Sequence, residues 1–129
     1  MFIILSKGSE FMDKLTNVFK ILSDETRLRI LVALYHRELC VCQLQGILEE
    51  TQPKISKHLS KLRDTGFVRD ERREQFIYYF LVKDNEMLND IIKNIIGDVK
   101  EYKIISEDLE RLKYADKFVE MKINQDKTN

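Results

Sequence analysis

Apolar residues recur at helical spacing along most of this chain. Leu15, Val18, Phe19 and Leu22 predict a first helix over about 13–22. Ser23 stands where an N-cap belongs, and Asp24-Glu25 suit a helix start, which favours negative charge. Leu28, Leu31 and Tyr35, flanked by Ile30 and Leu34, mark a second helix ending near Arg37. A third, short helix covers about 41–48, with Leu44, Ile47 and Leu48 apolar. Glu49-Glu50-Thr51 reads as a tight turn, Thr51 as the next cap, and Pro53 as a first-turn residue whose missing N–H costs little. Ile55, Leu59 and Leu62 form the buried stripe of a fourth helix, and Gly66 ends it in the left-handed conformation.

The period then changes. Phe67 to Arg72 and Phe76 to Leu81 are rich in aromatic and β-branched residues and read as a hairpin, with Arg73-Glu74-Gln75 between its strands. Helical spacing returns with Leu88, Ile91, Ile92, Ile95, Ile96 and Val99, an apolar face broader than one small domain needs. Leu109, Leu112, Ala115, Phe118 and Val119 continue it, and a polar, frayed tail is expected from about 123. The expected organisation is a leader of doubtful origin at 1–12, where Gly8-Ser9-Glu10-Phe11 resembles translated cloning sites. A core domain follows at 13–100, a helical extension at 101–122, and the tail at 123–129.

Composition narrows this picture. The 129 residues suit one domain, and 22 basic residues balance 22 acidic ones. The balance is not uniform: Lys54, Lys57, Lys61, Arg63, Arg69, Arg72 and Arg73 face only Asp64, Asp70 and Glu71 between Thr51 and Arg73. A local basic stretch on a neutral protein suits a bounded contact with phosphates. Two cysteines, Cys40 and Cys42, make no disulfide framework and suggest a reducing, cytoplasmic setting. No apolar run approaches the roughly 18–20 residues of a membrane helix, so no membrane partner is expected. His36 and His58 are the only histidines, and no hydrolase motif or phosphate-binding glycine loop is present, so no enzyme is expected and no cofactor is required.

Helix, turn, helix, then hairpin is the winged helix-turn-helix plan: a mainly helical fold with a small β-hairpin, its second helix entering the major groove. The fourth helix has a suitable outward face of cations and small hydroxyls. Gln52, Lys54, Ser56 and Lys57 lie near its start, where side chains reach base edges. Lys61 and Arg63 are placed for phosphate, and Arg72 and Arg73 at the hairpin tip for backbone or minor groove. His58, bordering the buried stripe, reads as a structural histidine. The expected partner is double-stranded operator DNA; an interaction module that kept the fold without DNA binding is the alternative.

Three runs, Leu22-Ser-Asp-Glu-Thr-Arg-Leu-Arg-Ile-Leu31, Glu38-Leu-Cys-Val-Cys-Gln-Leu44 and Gln52-Pro-Lys-Ile-Ser-Lys-His-Leu59, resemble the arsenic-repressor (ArsR/SmtB) family over roughly 13–100. The resemblance implies a homodimeric repressor, with terminal helices forming the dimer interface, that leaves DNA when an effector binds. It implies Cys40 and Cys42 as the thiolates for arsenite or antimonite; soft thiolates suit soft ions. Cadmium, lead, bismuth, thiol redox state, or no metal effector are the alternatives. A third thiol, common three positions after the second, is Gln45 here, and Glu74 replaces the usual wing glycine. The family's zinc site on the dimer helix is not expected, because residues 84–103 contain no His. Residues two apart on a helix point about 200° away from each other. Chelation is therefore expected to extend or unwind the first turn of the third helix and so displace the reading helix.

Overall fold

The computed structural model describes residues 2–128, with side chains from Met12 onward. Its elements run α1 (Phe2–Leu22), α2 (Glu25–His36), β1 (Leu39–Cys40), α3 (Val41–Leu48), α4 (Gln52–Asp64), β2 (Val68–Arg73), β3 (Phe76–Leu81) and α5 (Glu86–Gly97). A short 3₁₀ turn, Val99–Glu101, leads to α6 (Lys103–Leu112) and α7 (Ala115–Thr128). The helix expected over 13–22 is the second half of α1. Apart from Met12, the side chains of the expected leader lie outside the described residues. Residues 123–128 form the last turns of α7, where a frayed tail was expected.

Local chemistry accounts for the junctions. Asp24, not Ser23, caps α2: its carboxylate accepts the Arg27 backbone N–H at 3.0 Å. The Ser23 hydroxyl instead donates back to the Lys20 carbonyl at 2.7 Å. Thr51 holds the cap position of α4 with extended backbone, but its hydroxyl makes no capping hydrogen bond. Gly66, at φ 85°, closes α4 with paired bonds: its own N–H to Arg63 O and the Phe67 N–H to Leu62 O. Phe67 is thereby part of the cap, and β2 begins one residue later than expected.

The sheet is antiparallel in the order β1-β3-β2. Arg73 pairs with Phe76, so only Glu74 and Gln75 form the turn, and Arg73 belongs to the strand. Glu74 takes φ 58°, the conformation a glycine adopts without steric cost. The two-residue strand β1 was not anticipated; it sets Leu39 opposite Tyr79 and Cys40 opposite Tyr78.

Ile30, Leu31, Leu39, Leu44, Ile47, Ile55, Leu59, Leu62, Leu88 and Ile92 make a single buried core that holds α3 and α4 against α2 and α5. On α5, Ile91, Ile95 and Ile96 stay half-buried, while Met12, Phe19 and Met87 are exposed. None of the described helices is long and apolar enough to cross a membrane.

Candidate nucleic-acid interface and thiol pair

Burying Ile55, His58, Leu59 and Leu62 turns the other side of α4 outward. Gln52, Lys54, Lys57, Lys61 and Arg63 are exposed there, and Ser56 is half-buried. Gln52 Nε2 donates to Ser56 Oγ at 2.9 Å, so the two polar groups placed for base edges already touch. Lys54 is held by Glu50 at 3.0 Å, and Arg63 by Asp70 at 3.1 Å. Among the described residues, Lys57, Lys61 and Arg72 have no carboxylate within 4 Å. These three are the unneutralised cations of the expected interface.

Arg73 sits beside the turn at the wing tip, with its side chain engaged. Its guanidinium folds back onto Glu38 and onto Glu71, the latter at 2.9 Å, and lies 5.4 Å over the Tyr78 ring. The tip end of the wing is thereby tied to the residue that opens the cysteine motif. The Glu38 charge, close in sequence to the cysteines, is paired with this guanidinium.

His58 is buried on α4, its Nδ1 3.8 Å from Asp24 Oδ1. Burial lowers its pKa; Asp24 opposes the shift, and Arg27, Lys57 and Lys54 add to it. A histidine depressed in the folded state binds more protons when unfolded, so stability is full above the unfolded pKa of about 6.5 and falls as pH drops through it. Urea midpoints measured from pH 7.5 to 5.5 are expected to fall, and His58→Gln is expected to flatten that dependence.

Cys40 ends β1 and caps α3, with φ −88° and ψ 173°. This extended cap swings its side chain off the helical wheel, and its Sγ lies 2.9 Å from Cys42 Sγ. Of the two expected routes, extension or unwinding, unwinding is not needed: Cys40 is already extended, the helix is intact from Val41, and the sulfurs converge. Gln43 holds the arrangement. Its Oε1 accepts the Cys40 backbone N–H at 3.0 Å, and its Nε2 donates to Ala115 O at 3.1 Å, where α7 begins.

One proton is shared unevenly between the thiols. The Cys42 thiol hydrogen bond brings Cys40 down to about 7; burial opposes this, and the Gln43 and Cys42 backbone N–H groups assist. The same bond, with burial and the Cys40 charge, pushes Cys42 well up. Cys40 is thus the thiolate near neutral pH, and Cys42 its hydrogen-bond donor. Burial first, then the two cysteines, raises the pKa of Tyr78 across the β1–β3 register. Two converged soft donors fit a thiophilic ion, and no group of three or more His, Cys, Asp or Glu able to hold a metal occurs among the described residues. Gln45 stands half-buried where a third thiol would be. Sequence reasoning missed the roles of Gln43, Glu38 and α7, whose signals are contacts between distant segments.

Comparison with known proteins places these features together. Residues 24–70 match the family described as bacterial regulatory protein, arsR family. The arsenic resistance transcriptional regulator ArsR1 of Pseudomonas putida is 39% identical over 97 residues, 74% of each chain. The arsenical resistance operon repressor of Escherichia coli is 48% identical over 65 residues, 50% of this chain and 56% of that one. The crystal structure of the AntR antimony-specific transcriptional repressor superposes with a TM-score of 0.61 at 26% identity, covering 71% of this chain and 82% of that one.

Proposed function

Since the chain belongs to the arsR family of bacterial DNA-binding regulators, we propose that it is a homodimeric repressor that leaves its operator when arsenite or antimonite bonds to Cys40 and Cys42. The observation that carries this reading is the 2.9 Å approach of the two sulfurs at the start of α3, the helix that packs on α4. The arsenic-resistance regulators it is similar to, and the antimony-specific repressor whose fold it shares, support the choice of ion.

The thiolate of Cys40 attacks first, and Cys42 follows once it has lost its proton. Bonding both sulfurs to one ion abolishes the S–H···S contact and resets the Cys40 cap. Leu44, Ile47 and Leu48 of α3 share one core with Ile55 and Leu59 of α4, so a shift at the α3 start re-aims the reading helix. The Glu38–Arg73 pair offers a second route, from the cysteine motif to the wing. In the DNA complex, Gln52, Lys54, Ser56 and Lys57 read base edges, while Lys61, Arg63 and Arg72 meet phosphate. Arg73 joins them only by exchanging its carboxylates. The apolar α1 and α5 surface bearing Phe19, Met87, Ile91 and Ile95 is assigned to the second protomer.

Fluorescence anisotropy on the protein's own promoter DNA tests the reading. Arsenite is expected to weaken binding about 5–150-fold, the range of a typical coupling between sites. Cys40→Ser/Cys42→Ser is expected to bind DNA normally and ignore arsenite. Release that survives the double substitution would place the sensor elsewhere.

A further inference from the structure

The helix α7 forms a wall beside the cysteines. Phe118 lies so close to Gly46 that a Cβ there would stand 2.4 Å from the ring. Arg37 reaches Asp116 at 3.1 Å, and Gln43 holds Ala115. Between α3 and α7 lies a cavity of about 200 Å³ lined by Cys42, Gln45, Phe118, Met121, Lys122 and Gln125. It is open to solvent.

The cavity meets a vacancy in the chemistry. Trivalent arsenic forms three bonds, and this chain offers it two thiols; the Met121 thioether lining the cavity has no proton to exchange for such a bond. A third soft donor from the protein is blocked at the expected position, which is Gln45. Two carboxamides and one ammonium line the cavity beside Cys42, together with Phe118 and Met121. Lys122 has one carboxylate partner, Asp126 at 3.4 Å, and both groups are about half exposed, so that pair is readily exchanged.

We propose that the third ligand of the bound arsenic is the sulfur of a small, carboxylate-bearing thiol seated in this cavity, its carboxylate on Lys122 and its polar groups on Gln45 and Gln125. The inference rests on the proposed arsenite reading and adds a co-ligand to it. The exchange balances without redox change. Arsenous acid loses three As–O bonds and gains three As–S bonds, one each from Cys40, Cys42 and the small thiol. The three hydroxyls leave as water, taking protons from Cys42, from the small thiol and from solvent. Arsenic stays trivalent throughout.

Mercaptoacetate and 2-mercaptoethanol, matched in size and differing in the carboxylate, separate the outcomes. With the protein kept reduced by a phosphine, arsenite affinity is measured with each thiol, and native mass spectrometry weighs the complex. X-ray absorption counts the sulfur neighbours. The expected result is a mass of chain plus arsenic plus mercaptoacetate, three sulfur neighbours, and affinity about tenfold higher than with mercaptoethanol. Lys122→Glu and the milder Lys122→Gln are expected to erase the difference between the thiols while leaving arsenite binding alone unchanged. Two sulfurs and one oxygen in the presence of mercaptoacetate would overturn the proposal. So would equal enhancement by both thiols that is indifferent to residue 122. Arsenic that fails to bind under any condition would instead remove the arsenite reading beneath it.

Discussion

Raising salt from roughly 50 to 200 mM is expected to cost the operator complex about 10³-fold in affinity. The figure follows from which cations are unpaired. Among the described residues, Lys57, Lys61 and Arg72 carry no carboxylate within 4 Å, whereas Lys54, Arg63 and Arg73 are held by Glu50, Asp70 and the Glu38–Glu71 pair. Three unneutralised cations per chain give six in the proposed dimer; each displaces counterions whether it lies at a base edge, as Lys57 does, or on a phosphate, and at about 0.9 per charge the log–log slope is near −5. Tied cations recruited on binding would steepen it. Lys61→Ala removes two phosphate contacts per dimer and is expected to reduce the slope by about 2 while weakening binding to operator and random DNA alike. Gln52→Ala should do the opposite, leaving the slope and relaxing sequence preference. Isothermal titrations across the salt range check both, and a flat salt dependence would return the chain to the interaction-module alternative.

The middle of the chain was legible because its signals are local. The α2, α3 and α4 spans follow from apolar residues three and four apart, and Gly66 marks the end of α4 by a requirement on its own φ. The cysteine pair was legible as chemistry and misread as geometry. A helical wheel applies to residues inside a helix, and Cys40 is its cap, fixed in extended form by pairing with Tyr78 some forty residues on. A two-residue strand has no periodicity to detect. Ser23 and Asp24 are both good caps, and only the carboxylate reaches the Arg27 N–H; adjacent choices of this kind are settled by backbone direction. Arg73 was expected to face DNA because a hairpin tip is exposed. Its tie to Glu38 depends on the wing folding back toward the start of α3, which residue order does not reveal. The same holds for the extension: its apolar spacing announced helices, while their seat against the cysteines required Gly46 to meet Phe118.

The seat of that extension is fastened by one buried ion pair, and Asp108→Ala is expected to destabilise the protein by about 3–5 kcal/mol. Asp108 is 2% exposed and takes both ends of the Arg29 guanidinium, Nε and Nη2, at 2.8 Å. Arg29 Nη2 also donates to Leu48 O at the end of α3, and Arg111 joins Asp108 at 3.1 Å while bonding Ile47 O and Glu49. Removing the carboxylate leaves a guanidinium buried beside two more distant acids, Glu25 at 4.0 Å and Glu50 at 3.9 Å, which offset only part of the loss. The cost is a large fraction of the roughly 5–15 kcal/mol that stabilises a typical domain. It should appear as a lower urea midpoint and as faster amide exchange in α6 and α7 before the rest of the fold. Arg29→Met/Asp108→Leu, which removes both charges, should recover most of the stability, because the penalty lies in the unpaired charge. The same network grips Glu49, held left-handed at φ 53° in the turn between α3 and α4. Loosening it should therefore also broaden the angle at which α4 meets DNA, so that Asp108→Ala loses operator affinity even where it remains folded. A variant as stable as the parent would mean that packing alone, Phe118 on Gly46, seats the extension.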